Sequence, residues 1–202
     1  SLEALGGTLN FTTRNPKDSA GSNVQLSIGN HEALRYAASY DTGSVFNGST
    51  RVFVSASHQE ATDWVNNAAE NNRDHLAVKL ISEFANTTIT GYLAYDDVQE
   101  DNYQRITLAE FESNPNSDRL LDQWTGVPYV DQVHRRGWST LRENTFSYLK
   151  LDHEFDNGLS LSGGVYRHAN EGRGDWVPPQ IVDVANDDGG PESEVLGGST
   201  TF

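Results

Sequence analysis

Leu149-Lys150-Leu151-Asp152-His153-Glu154-Phe155-Asp156-Asn157-Gly158-Leu159-Ser160-Leu161-Ser162-Gly163-Gly164-Val165-Tyr166 carries the clearest periodicity in the chain. It consists of two alternating segments joined by Asp156-Asn157-Gly158. Leu149, Leu151 and Phe155 share a face with His153, against Lys150, Asp152 and Glu154. Beyond the turn, Leu159, Leu161 and Val165 oppose Ser160, Ser162 and Tyr166. A period of two on both sides of a tight turn predicts a β-hairpin. The apolar face then meets either a second protein layer or lipid, and the hairpin alone leaves both readings open.

Composition narrows the classes. The chain has 202 residues and a formal net charge of -15. So acidic a chain lacks the clustered Lys and Arg that phosphate binding needs, which argues against a nucleic-acid partner. It also argues against docking on an anionic membrane surface. Hydrophobic residues make up only 36 %, with no apolar run long enough for a transmembrane helix. A β-barrel passes that test, because only alternate residues need be apolar. With Cys at zero there is no disulfide framework, thiol catalysis or thiolate metal site. Met is absent too, and Ser1-Leu2-Glu3-Ala4-Leu5 has no basic signal region, so the sequence reads as an internal fragment or a mature segment.

Taken in order, Gly6 to Pro16 reads as a glycine pair, a short strand and a proline stop. Asn23–Ile28 alternates around Val24, Leu26 and Ile28. Leu34, Tyr36, Ala38 and Tyr40 share the next face. Arg51–His58 is a third strand, with Phe53 on the side opposite Val52, Val54 and Ala56. Gln59–Asn72 reads as a long polar loop with a helical turn over Asp63–Glu70. His75–Phe84 and Thr88–Asp96 are strands four and five. Asp97–Leu141 is a very long irregular stretch, the hairpin supplies strands six and seven, and Ala169–Phe202 is a last long loop.

The connection after strand one is short; those after strands three, five and seven are long and those after two, four and six short. Long loops on one rim and short turns on the other are the signature of an outer-membrane barrel, whose long rim is extracellular. Strands of about ten residues fit a tilted crossing of the hydrocarbon layer. Tyr40, Phe84, Tyr95 and Phe155 lie near strand ends, where an interfacial girdle sits. The expected fold is therefore all-β: an antiparallel transmembrane β-barrel, here an incomplete segment of about seven strands with long extracellular loops.

Gly6-Gly7-Thr8-Leu9-Asn10-Phe11-Thr12-Thr13-Arg14-Asn15-Pro16, directly before an alternating strand, resembles the close of the plug domain in TonB-dependent outer-membrane receptors. Trp124-Thr125-Gly126-Val127-Pro128-Tyr129, Leu141-Arg142-Glu143-Asn144 and Glu171-Gly172-Arg173-Gly174-Asp175-Trp176 also look like barrel and loop sequence of that family. The resemblance implies that residues 1–20 are the C-terminal end of a plug domain and its linker. Residues 21–202 are then the N-terminal part of a plugged 22-stranded barrel. It implies energised uptake of an iron-siderophore, a cobalamin or an oligosaccharide, a location in the bacterial outer membrane, and no enzymatic activity. The implied partners are the TonB complex, outer-membrane lipid and lipopolysaccharide.

Within that frame Arg35, Lys79, Glu83, Lys150, Asp152 and Glu154 line a polar lumen or bond the plug. Ligand-binding candidates are Tyr103, Arg105, Trp124, Tyr129, Arg135, Arg136, Trp138, Arg173 and Trp176, with His134 and Asp175 beside them. They combine aromatic surface with cations suited to carboxylate or phosphate. The alternatives are that the aromatics pack the loops onto themselves and that Arg135-Arg136 meets lipopolysaccharide phosphates. Asp183, Asp187, Asp188, Glu192 and Glu194 form an acidic stretch without EF-hand spacing, which reads as a solvated loop rather than a calcium site. The six His have no metal-ligand spacing, no nucleophile motif is present, and no cofactor is expected. The competing function is a soluble or surface β-sandwich that binds carbohydrate or acts as an adhesin.

Overall fold

The computed structural model describes residues 12–65, 67–102, 106–116, 120–127, 131, 134–174, 181–185 and 191–195. Seven strands form one antiparallel sheet in sequence order: β1 (Ala20–Ile28), β2 (Leu34–Val45), β3 (Thr50–Thr62), β4 (Glu70–Phe84), β5 (Thr87–Asp101), β6 (Ser139–Glu154) and β7 (Ser160–Gly174). The sheet is not closed; among the described residues β1 and β7 are its two edges. A short helix, α1 (Leu108–Ser113), lies between β5 and β6. Two further strands, β8 (Ile181–Ala185) and β9 (Pro191–Val195), pair with each other.

The opening hairpin forms as its alternation predicts. Leu149 pairs with Val165, Leu151 with Gly163 and His153 with Leu161; Lys150, Asp152 and Glu154 pair with Gly164, Ser162 and Ser160. Gly158 takes a positive φ of 81°, the left-handed geometry that glycine adopts without a Cβ clash. Leu159 falls in the turn, where its carbonyl accepts from Phe155 N at 2.8 Å.

Strand ends and loops differ from the expectation in several places. The ladder continues from His58 to Thr62 and from Glu70 to Arg73, so the polar loop shrinks to 63–69, whose described residues form turns and no helix. The irregular stretch shrinks to 102–138. What reads as a loop after Ala169 contains the end of β7 and the β8–β9 hairpin. These ends are polar on both faces and so lack alternation, but their backbone groups still pair with neighbouring strands. The proposed strand at Gly6–Phe11 lies outside the described residues, and residues 12–17 are not in a strand. Turns 29–33, 63–69 and 102–138 share one rim. Turns 46–49, 85–86 and 155–159 share the other. The long-rim asymmetry therefore rests chiefly on 102–138.

Cross-strand partners share a face, so register sorts every side chain. One face carries Val24, Leu26 and Ile28 on β1, then Tyr36, Ala38 and Tyr40, then Val52, Val54 and Ala56. It continues through Leu76, Val78 and Leu80, then Ile89, Leu93 and Tyr95, to Leu149, Leu151, Leu161 and Val165. The other face is mostly polar or small, as in the row Gln25, Ala37, Ser57, His75, Asp96, Asn144 and Asn170, with Tyr92, Phe146, Tyr148 and Tyr166 also on it. Phe53 lies on this polar face, with the Arg14 guanidinium 4.0 Å above its ring.

The apolar face is the uncovered one. Val24 is 79 % exposed, and Leu26, Ile28, Leu149, Leu161 and Val165 are all exposed. Among the described residues the buried hydrophobic ones are Val65, Ala69, Ala77, Ile81 and Leu120. Ala77 and Ile81 are on the polar face and the other three are in the rim loops.

The apolar belt crosses the sheet obliquely. The row that begins at Leu26 and Tyr36 on β1 and β2 runs through His58, Asp74, Asp97 and Glu143 to Glu171 on β7. On β7 the belt centres at Gly163, between Leu161 and Val165, well along the strand from Glu171. At about 3.3 Å per residue and about 4.8 Å between strands, it shifts roughly 26 Å along the strands over roughly 29 Å of sheet, a slope of about 42°.

Candidate functional site

Two regions gather polar chemistry: the polar wall of the sheet, and the rim formed by 102–138 and 63–69.

On the wall, β2 breaks register between Asp41 and Ser44. Gly43 sits in that bulge at φ +68°, and a Cβ there would lie 2.5 Å from Ala20 N. The absent Cβ lets the chain before β1 lie against the bulge, where Ser44 N donates to Asp18 O at 3.0 Å. The Thr42 hydroxyl accepts from Val52 N at 3.0 Å, restoring a bond the bulge would otherwise cost. Residues 12–18 then run over the polar face. Lys79, only 4 % exposed, donates to Thr13 O (3.0 Å), Thr13 Oγ1 (2.8 Å) and Asn15 Oδ1 (2.7 Å). Asp41, also 4 % exposed, accepts from Arg14 (2.6 Å) and from Lys17 N (3.0 Å). Arg51 bridges Asp18 and Glu83. Beside this segment lies a groove of about 780 Å³ lined by Arg51, Lys79, Glu83, Thr88, Thr90, Phe146, Tyr148 and Lys150. All six residues expected on the lumen wall have the register of this face. Arg35 donates to Gln25 at 2.9 Å, and Lys150 pairs with Asp152, which also accepts from Ser162 at 2.6 Å.

At the rim, the neck of 102–138 is closed by Asn102 N to Trp138 O at 2.8 Å. Asp101 there accepts from Ser139 Oγ (2.7 Å) and Glu70 N (2.9 Å). Arg135 has no exposed side-chain surface. Its guanidinium lies 3.4 Å from Asp63 and 3.5 Å from Asp122, tying the long loop to the short one. Leu121 and His134 form a parallel bridge, and Arg135 N donates to Leu121 O at 3.0 Å. Asp131 accepts from Thr125 N, Thr125 Oγ1 and Gly126 N, each at 2.8 Å. Burial alone would raise its carboxyl, but these donors outweigh it and hold the pKa below the usual 3.8. The result fixes Trp124, whose ring meets His134 edge-on at 5.6 Å while 69 % of the residue stays exposed.

The sequence-derived candidates thus separate. Trp124 presents an exposed ring on an ordered turn. Arg135 is spent inside the rim, and exposed Arg136 is paired with Glu70. Trp138 is half-buried at the neck, and Arg173 is exposed on β7 opposite Leu141. Tyr103, Arg105, Tyr129 and Trp176 lie outside the described residues, as does Asp175. In the acidic stretch Asp183 pairs with Ser193, Glu192 with Val184 and Glu194 with Val182; Asp187 and Asp188 lie outside the described residues. Among the described residues no group of three His, Asp or Glu is arranged to hold a metal.

Sequence reasoning missed two features. Exposed Trp64 sits beside the buried Asp63 on the rim, and Thr107-Leu108-Ala109-Glu110 caps α1 with a full capping box. The Thr-x-x-Glu spacing was a usable signal for the second. Nothing local marks Asp63 as the partner of Arg135.

Comparison with protein-family models, with curated proteins and with solved structures returns no match.

Proposed function

We propose that this chain is a segment of a TonB-dependent outer-membrane receptor. It would combine the last part of a plug with the first strands of the barrel, and would serve energised uptake of a scarce ligand. The observation that carries the reading is the exposed apolar belt, continuous over seven strands and sloped at about 42°. Transmembrane barrel strands tilt by about 35–45°, so an oblique belt on the strands becomes a level belt in the bilayer. Exposed Tyr40, Phe84 and Phe155 mark its short-turn margin, and on β4 and β5 Asp74 and Asp97 follow Leu76 and Tyr95 at its long-loop margin. Polar side chains on the opposite wall suit a lumen, and residues 12–18 on that wall suit the end of a plug. In lipid the open edges of β1 and β7 each need a neighbour, so further strands complete the barrel.

In this reading the 102–138 rim faces the outside, and Trp124, Trp64 and Phe111 offer exposed aromatic surface to a ligand. An iron-siderophore or other chelate, a cobalamin and an oligosaccharide all offer rings or sugar faces to stack on. The TonB complex supplies traction to the plug, and lipid and lipopolysaccharide surround the belt.

The test is extraction and migration. The protein is expected to need detergent and to migrate differently in gels before and after boiling. Ready solubility in buffer with a cooperative melt would overturn the reading in favour of a β-sandwich, whose second sheet would then cover the belt.

A further inference from the structure

We propose that residues 12–18 are held as a fixed strap by a two-charge clasp, so that any displacement of the chain before Thr12 stops at the clasp and does not peel the strap from the wall. Lys79 and Asp41 are buried charges of opposite sign on neighbouring parts of the polar face. Every hydrogen bond described for the Lys79 ammonium goes to Thr13 or Asn15, and those of the Asp41 carboxylate come from Arg14 and Lys17. Sheet neighbours supply none of these bonds.

The strap itself covers Lys79 and Asp41, so lifting it returns both charges to water and gives up five hydrogen bonds made to a charged group, the stronger kind, at two points of opposite sign. The strap meets them with the complementary order: a carbonyl and two side-chain oxygens over the ammonium, a guanidinium and an N–H over the carboxylate. Two points of opposite sign fix register as well as position. A strap shifted by one residue would turn Arg14 toward Lys79. Beyond the clasp, Arg51 holds Asp18, and the Gly43 bulge lets Asp18 O join Ser44 N. The strap is thus continuous with β1 at one end and clasped at the other. The inference does not rest on which medium meets the apolar face. If the chain is a receptor, it means that traction on a plug ends at Thr12.

The experiment uses the absence of Cys from the sequence. A Thr12→Cys variant carries a single nitroxide label, and its electron paramagnetic resonance spectrum is expected to show an immobilised component. Lys79→Met combined with Asp41→Asn should abolish that component, while Lys150→Met, in the same groove, should leave it intact. Circular dichroism checks that the sheet survives. If the wall variant does not fold, Thr13→Val with Asn15→Ala removes two of the three Lys79 acceptors from the strap side and should give the same loss. A mobile label in the parent, or an immobilised one after either substitution pair in a folded protein, overturns the clasp. Solubility and migration are separate readouts, so the clasp and the receptor reading can fail independently.

Discussion

Leu151 and Lys79 lie on the same sheet, yet each meets what a soluble protein would give the other. Leu151 is apolar and 40 % exposed; Lys79 is charged and buried under the strap. Exposed apolar side chains scattered singly are ordinary, but a belt over seven strands is a surface made for an apolar partner. The rim behaves differently. There Val65, Ala69 and Leu120 are buried, charges pair, and the packing follows the rules of a water-soluble domain. The sheet leaves its apolar side chains exposed while the rim buries them, and the exposed belt runs obliquely across the strands.

The largest expected effect tests the rim. Arg135→Met leaves Asp63 buried without its cation and should cost about 3–5 kcal/mol locally, the usual scale for breaking a buried ion pair. Proteolysis confined to 102–138, with the sheet intact, would sharpen the contrast between rim and sheet. Global loss of the sheet would break it. Next, if the chain is a barrel segment as proposed, Leu151→Arg should cost about 2–4 kcal/mol in a bilayer, while Ser162→Arg on the opposite face should be mild. Denaturant unfolding in lipid vesicles measures both, and equal costs would contradict the assignment of the two faces. Gly43→Ala should cost about 1–3 kcal/mol, through its positive φ and the contact with Ala20 N. It should also loosen the strap, as a label at Thr12→Cys would report.

The smallest effect is at Asp131. Its folded pKa is lowered, so its contribution is complete above the ordinary value of 3.8 and fades as pH falls through the lower folded value. The amide NMR shifts of Thr125 and Gly126, whose N–H groups bond Asp131, should move as pH falls below about 4. Asp131→Asn should show the altered signal at every pH.

Much of the sheet was legible in the residues. Alternation marked all seven strands and both faces, because a period of two is a local consequence of the pleat. Asp156-Asn157-Gly158 marked the turn because glycine tolerates its φ. Strand ends were misread where both faces turn polar, as at Gln59–Thr62 and Glu70–Asn72, since pairing there depends on a neighbour and not on pattern. Phe53, which looked misplaced within its strand, is accounted for by Arg14, a residue far from it in sequence.

The candidate site was legible only as a region. Aromatic and basic composition pointed to 97–141, but could not separate Trp124, which stays exposed, from Arg135, which is consumed by Asp63 and Asp122. Side chains at the two ends of an ion pair carry no local sign of each other. By itself, the sequence determined the strands, their faces and the acidic, cysteine-free character of the chain, since these follow from residue type and spacing. The tertiary structure alone decided the slope of the belt, the strap under Lys79 and the burial of Arg135. Each of these depends on register between strands or on contacts across more than sixty residues of chain.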